Sequence, residues 1–98
     1  MIQFEWNETK NRANQLKHGV SFETATLVFD DPFALMHQDR VVDGEYRWQA
    51  IGRIADQVVL VIAHTVHESD EGNEMIRVIS ARKALKIERK RYEEQAYG

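Results

Sequence analysis

The strongest constraint on the fold is an uninterrupted apolar run, "VVLVIA", at residues 58–63. The run is far too short to cross a bilayer, which takes about 20 apolar residues. A short apolar run between polar turns is typical of a strand that is buried on both faces. We therefore expect the run to form a central strand of a sheet.

Further strands are predicted on both sides of this run. A weak alternation marks residues 2–6, and apolar or alternating segments occupy residues 33–40, 46–54 and 74–81. Asp43 and Gly44 stand between two of these segments and predict a tight hairpin, because this dipeptide favours positive φ. Residues 55–57 predict a second turn.

Three helices complete the prediction. Asn7 is a good N-cap for a first helix, which Gly19 ends as a residue with positive φ. Ser21 caps a second helix that runs to Phe29 and stops before Pro32, and residues 82–97 form the last helix. The order is β-α-α-β-β-β-β-α, which predicts an α+β domain with an antiparallel sheet.

Composition narrows the classes of protein. The 98 residues predict one domain, 1–98. The chain has no cysteine, which excludes disulfide and thiolate chemistry, and "MIQFEW" does not begin a signal peptide, so we expect a cytoplasmic protein with no membrane segment. A net charge of −3 disfavours a dedicated nucleic-acid binder, yet six of the thirteen Lys and Arg residues lie between Arg82 and Arg91.

Lys17 and His18 allow two interpretations. Cations in the last turn of a helix are stabilised by the negative end of its dipole. That interaction explains the charge but not the choice of a histidine after a lysine, so a cationic binding site is the second interpretation.

The motifs of cofactor and metal enzymes are missing from the sequence. The four histidines do not have the HExxH spacing of a zinc site, and His64 and His67 fall on opposite faces of a strand. There is no P-loop, GxGxxG or GxSxG. We therefore expect neither a metal nor a cofactor.

Arginines within the strands are the other candidates. Arg47 shares a strand face with Glu45 and Gln49, and Arg77 lies within the last strand. Such residues usually face solvent or pair with a carboxylate. If several converge on one face, they suit RNA scission, which moves two protons and places extra negative charge on phosphorus.

The chain resembles the BrnT family of toxins from bacterial type II toxin–antitoxin systems. The family pattern F-x-W-[DN]-x-x-K-x-x-x-N-x-x-K-H-G-V-x-F-x-x-A is matched by "FEWNETKNRANQLKHGVSFETA". The segments "VFDDP", "GEYRWQAIG", "HT" and "IRVISARKA" follow in the family's order. The resemblance implies a RelE-like fold and a ribonuclease that arrests translation. It also implies a small BrnA-like antitoxin with a ribbon-helix-helix part. The antitoxin is expected to form a hetero-oligomer with the toxin, and the complex is expected to contact DNA only through the antitoxin.

The resemblance also points to residues. It implies Arg82 as the leading catalytic candidate, with Arg47 as a second phosphate contact, because guanidinium groups match phosphate oxygens. Lys17 and His18 belong to the family pattern and are expected, with Arg77, to bind RNA.

One position departs from the family. Family members often read T-x-R after the apolar strand, and here the residues are Thr65, Val66 and His67. An imidazole could transfer protons near neutral pH, which makes His67 a catalytic candidate. The alternative is a weakened enzyme that keeps only antitoxin pairing and operon control.

Overall fold

The computed structural model describes residues 2–97, which form one mixed sheet flanked by helices. The strands lie in the order β1-β5-β4-β3-β2. They are β1 (Ile2–Glu5), β2 (Leu35–Val42), β3 (Glu45–Ala55), β4 (Val58–Glu68) and β5 (Glu74–Lys83). The helices are α1 (Glu8–His18), α2 (Phe22–Ala25), which continues as a 3-10 segment (Thr26–Asp30), and α3 (Lys86–Tyr97).

The apolar run lies in β4, the middle strand, as its composition predicts. Leu60 and Ile62 face α2 and the 3-10 segment, where they join a core with Phe22. Val59 and Val61 face the other way and pack with Tyr92 of α3. The central strand therefore has apolar side chains on both faces because helices cover part of each face.

The predicted caps and turns are confirmed. The side chain of Asn7 accepts a hydrogen bond from Lys10 N at 3.0 Å, and Gly19 ends α1 with φ 71°. Asp43 and Gly44, with φ 51° and 78°, form the hairpin between β2 and β3. These positions were predictable because each depends on local backbone chemistry alone.

Three expectations were wrong in detail. The sheet is not purely antiparallel, because β1 runs parallel to β5. The second helix is α-helical only to Ala25 and tightens into the 3-10 segment beyond it. Arg82 lies within β5 rather than at the start of the last helix, which begins at Lys86. Side-chain alternation identifies a strand but carries no information on its direction or its partner.

Helix α1 is held by polar rather than apolar contacts. Its buried residues are Asn11 and Asn14. Strand β1 pairs with β5 only as far as Arg77. Further along β5, the side-chain amide of Asn14 takes over: it donates to Ala81 O at 2.8 Å and accepts from Ala81 N at 3.1 Å. Asn14 thus supplies the edge of β5 with the hydrogen bonds that a neighbouring strand would make.

The helices among residues 2–97 are all too short or too polar to cross a membrane.

We predict that Gly19→Val destabilises the protein by about 1 kcal/mol or more, because β-branched residues resist positive φ. Space is not the cause, since nothing lies within 4 Å of a Cβ at this position. Gly19→Asn is the matched control, because asparagine tolerates this backbone region and should cost less. Thermal unfolding measures both variants, and equal midpoints for Gly19→Val and wild type would contradict the role of Gly19.

Candidate functional site

Polar side chains form a row across one face of the sheet. We call this the open face; it lies opposite α2 and the 3-10 segment, and α3 covers only one end of it. Arg40 pairs with Arg47, Thr65 pairs with Arg77, and Arg77 pairs with Glu5. Trp48 of β3 pairs with His64 of β4, and both side chains point to the opposite face. The next residues along these two strands, Arg47 and Thr65, therefore lie side by side on the open face and join the two halves of the row. The arginine row therefore consists of Arg40, Arg47, Thr65, Arg77 and Glu5, with one residue from each strand.

The row contains polar atoms that the protein leaves unpaired. Arg47 Nε and Thr65 Oγ1 are buried and make no hydrogen bond within residues 2–97; Arg53 Nε is in the same condition near α3. Arg40 and Arg47 also place like charges directly across neighbouring strands, which is unfavourable. A bound anion would pair these donors and offset the repulsion between the guanidinium groups.

A small pocket of about 100 Å³ adjoins the row. Arg47 and Arg77 line it, together with Lys10 and Glu45. Lys10 belongs to the first turns of α1, which Asn14 fastens to the edge of β5. The pocket therefore gathers three cations from three separate elements around a space that suits a phosphate-sized group.

His67 lies next to the row on the same strand face. It follows Thr65 by two residues on β4, a separation of about 7 Å. Its Nε2 is 3.7 Å from Glu5 Oε1, and its side chain is 47% exposed. The imidazole therefore lies beside both a carboxylate and the cationic pocket, where substrate can reach it.

A second imidazole lies on the other side of the row. His37 is half-buried and lies on the open face, where it pairs with Gln49. This pair is next to the pair of Arg40 and Arg47, on the side nearer α3. Histidines thus lie on both sides of the arginines, but about 16 Å of sheet separates His37 from His67.

Arg82 is occupied by an ion pair. Its guanidinium donates to both oxygens of Glu88, at 2.7 and 2.9 Å, and Glu88 also accepts from Leu85 N. The hydrogen bonds from Arg82 lower the pKa of Glu88 despite its burial, and the same pair raises the pKa of Arg82. In this structure Arg82 therefore joins β5 to the beginning of α3.

Arg82 and His67 do not act on a single phosphate. Arg82 pairs with Val61, whereas His67 pairs with Met75 at the opposite end of the two strands. Six residues separate Val61 from His67 on β4, a distance of about 20 Å. These two catalytic candidates are therefore not brought together, because the loop joins the His67 end of β4 to the start of β5, whereas Arg82 lies near the end of β5.

Lys17 and His18 lie in the last turn of α1, where cations face the helix dipole. Helix α1 runs alongside β5, with Lys10 near Arg77 and Asn14 at Ala81. The last turn therefore continues toward the Lys83 end of β5, away from the arginine row. Of the six predicted site residues, Arg47, Arg77 and His67 come together, and Arg82, Lys17 and His18 do not join them.

No group of three or more potential metal-ligating side chains is found within the part of the chain that the structure describes. What the open face offers instead is cationic donors and imidazoles, which bind anions and move protons.

Sequence reasoning did not single out Lys10, Thr65 or His37. Lys10 and Thr65 stand within the quoted family segments, which was a usable signal. His37 carries no such signal, because its place on the open face follows from its pairing with Gln49 of β3, which the sequence of β2 alone does not reveal.

Most of the chain matches a known protein family. The family described as "Ribonuclease toxin, BrnT, of type II toxin-antitoxin system" matches residues 6–88. The chain belongs to the BrnT family. It is thus a member of a family of ribonuclease toxins, and a type II system implies an antitoxin partner.

A solved structure supports the fold of this BrnT protein. The crystal structure of the Brucella abortus ribonuclease toxin BrnT is similar with a TM-score of 0.65 and 20% sequence identity. The similarity covers 88% of this chain and 100% of the Brucella chain. No curated protein matches the sequence.

The Arg82–Glu88 pair predicts a pH-dependent contribution to stability. The pKa of Glu88 is lowered from its ordinary 4.5 on folding, so the contribution is present above that value and is lost as pH falls through the lower folded pKa. Glu88→Gln should therefore cost about 1–2 kcal/mol at pH 7, and the difference from wild type should shrink toward pH 3.

Urea unfolding at both pH values measures this difference. Glu94→Gln is the matched control, an exposed position on the same helix that should change stability by less than about 0.5 kcal/mol. An equal deficit of Glu88→Gln at both pH values would contradict the ion pair.

Proposed function

We propose that the chain cleaves RNA on the open face of its sheet without a metal ion, and that this cleavage arrests translation. The observation that carries the proposal is the arginine row, with Arg47 Nε buried and unpaired beside Arg77 and Lys10. RNA backbones are anionic, and buried guanidinium donors without protein partners favour phosphate as the ligand.

The proposed reaction is attack by the 2′-hydroxyl on the adjacent phosphorus. The 2′-oxygen loses its proton, the bond from phosphorus to the 5′-oxygen breaks, and the leaving 5′-oxygen gains a proton. The products are a 2′,3′-cyclic phosphate and a 5′-hydroxyl. Arg47, Arg77 and Lys10 would stabilise the additional negative charge on the pentavalent intermediate.

His67 is the proposed proton-transfer group. The carboxylate of Glu5, 3.7 Å away, would orient the imidazole. His37 is level with Ala63, two strands away and four residues from His67 along β4, about 16 Å in all, so it does not act on the same phosphate. In this proposal water carries the second proton, so the reaction needs no metal ion.

Arg82, Lys17 and His18 receive a different role in this proposal. Arg82 follows Arg77 by five residues on β5, a distance of about 15 Å. We propose that these three residues contact the RNA backbone beyond the cleaved phosphate, at the α3 end of the open face. There they would contribute to affinity more than to the chemical step.

The partner and setting follow the family. We propose a BrnA-like antitoxin with a ribbon-helix-helix part, a hetero-oligomeric complex, contact with operator DNA only through the antitoxin, and a cytoplasmic site of action. The mixed sheet with helices on both faces supports a RelE-like classification of the fold.

A second candidate function is a catalytically weakened toxin that retains antitoxin pairing and operon control. One observation favours it: His67 occupies the position where the resemblance expects an arginine. The two candidates differ in whether His67 transfers a proton during RNA cleavage.

We predict that Arg47→Ala and Arg77→Ala each lower the RNA cleavage rate by about 10²- to 10³-fold, as for loss of a donor to a developing oxyanion. Arg12→Ala is the matched control, since its side chain is 79% exposed on α1 outside the pocket. The assay uses purified toxin free of antitoxin, in the presence of a chelator, with folding checked by circular dichroism. Equal rates for Arg77→Ala and Arg12→Ala would contradict the proposed site.

We predict that His67→Ala lowers cleavage by about 10²-fold, the usual contribution of a positioned proton-transfer group. The variant should also lose one limb of the pH–rate profile, which a structural role would leave in place. His67→Arg tests the departure from the family. If His67→Arg raises cleavage while His67→Ala leaves it unchanged, the weakened toxin is the correct candidate.

A further inference from the structure

The opposite face of the sheet carries an apolar groove of about 800 Å³. We call it the groove. Its floor is formed by Phe29, Trp48 and His64, and its walls include Tyr46 and Val66. The 3-10 segment covers the neighbouring part of this face but not the groove, which lies toward the β2–β3 hairpin.

The walls of the groove are too exposed for a small-molecule site. Tyr46 is 58% exposed and Val66 is 43% exposed. Small-molecule pockets usually bury 70–90% of their ligand, whereas a contiguous exposed apolar patch marks a protein–protein contact. The occupant that fits is therefore a polypeptide segment.

The charges around the groove select the chemistry of that segment. Its lining includes the carboxylates of Asp43, Glu45 and Glu74 and no lysine or arginine. Such a rim repels RNA and attracts a segment with lysine or arginine beside its apolar side chains.

His64 forms part of the floor of the groove. Its Nδ1 lies 3.3 Å from Ile62 O, which can only accept, and burial lowers the pKa of His64, so the neutral ring with its hydrogen on Nδ1 suits this site. Phe29 packs edge-on against the ring at 5.0 Å and fixes its orientation. The residue is only 2% exposed, so His64 contributes to the shape of the floor.

The groove is also connected to the candidate active site. Glu45 lines both the groove and the small cationic pocket of Arg47 and Arg77. A segment that fills the groove and passes over the hairpin therefore reaches the edge of the cationic pocket.

We propose that the groove is the anchoring site for the antitoxin, and that it takes a segment with apolar side chains flanked by lysine or arginine. The identity of the partner rests on the proposed function. Most of the groove lies on the face opposite the arginine row, but His67 and Glu45 also line it, so anchoring is measured by binding of the partner and catalysis by RNA cleavage without the partner.

The test compares Val66→Lys, which places a cation in the groove wall, with Leu16→Lys on α1, where the side chain is 91% exposed outside the groove. The probe is the small protein encoded beside the toxin gene, titrated against purified toxin by calorimetry. Val66→Lys should weaken binding by about 30-fold or more, as for loss of an interface hot spot, and Leu16→Lys should leave it unchanged. Tyr46→Ala should also weaken binding. Because it adds no charge, it shows whether the effect of Val66→Lys comes from the groove or only from the added lysine.

Each alternative occupant predicts a different result. Equal affinities for Val66→Lys, Tyr46→Ala and wild type would overturn the proposal. RNA cleavage that differs between Val66→Lys and Leu16→Lys, measured without the partner, would assign the groove to RNA. A toxin dimer in light scattering that Val66→Lys dissociates would assign it to a second copy. Failure of the wild type to bind the probe would overturn the docking proposal, whereas binding without RNA cleavage would overturn only the proposed catalysis.

Discussion

The hydrogen bonds between the Asn14 side chain and the Ala81 backbone are the interaction on which the site depends most. They close the part of the β5 edge that β1 leaves open, and they do so from a helix rather than a strand. The same amide donates to Val20 O at 2.9 Å, which ties the turn between α1 and α2 to the same point. Because an unpaired buried amide is costly, this arrangement fixes the position of α1 along the sheet. Lys10 is thereby held beside Arg77.

The sheet separates two kinds of chemistry. One face carries arginines, unpaired donors and imidazoles, and the other carries an apolar groove with carboxylates at its rim. Strand alternation produces this division, since Arg47 and Trp48 are adjacent in sequence and point to opposite faces. The acidic net charge of the chain is therefore compatible with an anion-binding surface, because arginines are concentrated on the open face and the lining of the groove contains carboxylates but no lysine or arginine.

Local signals in the sequence predicted the elements and their ends well. Asn7, Gly19 and Asp43-Gly44 act through nearby backbone geometry, and the apolar run at 58–63 has the central position that its burial requires. The direction of β1 was not predictable, because side-chain alternation is the same in parallel and antiparallel strands.

The candidate site was predictable only in part, because its geometry depends on pairing between distant strands. Arg47, Arg77 and His67 were identified from the sequence, but their common face depends on the register of β3, β4 and β5. Arg82 was assigned to the wrong element, and its pairing with Glu88 is a contact between the end of a strand and the start of a helix. The place of Lys10 in the site could not be predicted, because it depends on where α1 lies along the edge of the sheet, and the hydrogen bonds of Asn14 determine that position.

The salt dependence of RNA affinity tests most directly the central claim that Lys10, placed beside Arg77 by the position of α1, and Arg77 each contact an RNA phosphate. The ligand is a single-stranded RNA made non-cleavable by 2′-O-methylation. Each phosphate contact contributes about 0.7 to the slope of log affinity against log salt concentration. The account predicts that Lys10→Ala and Arg77→Ala each reduce the slope by about that amount, while Arg12→Ala leaves it unchanged. An unchanged slope for both Lys10→Ala and Arg77→Ala, with wild-type stability, would contradict it.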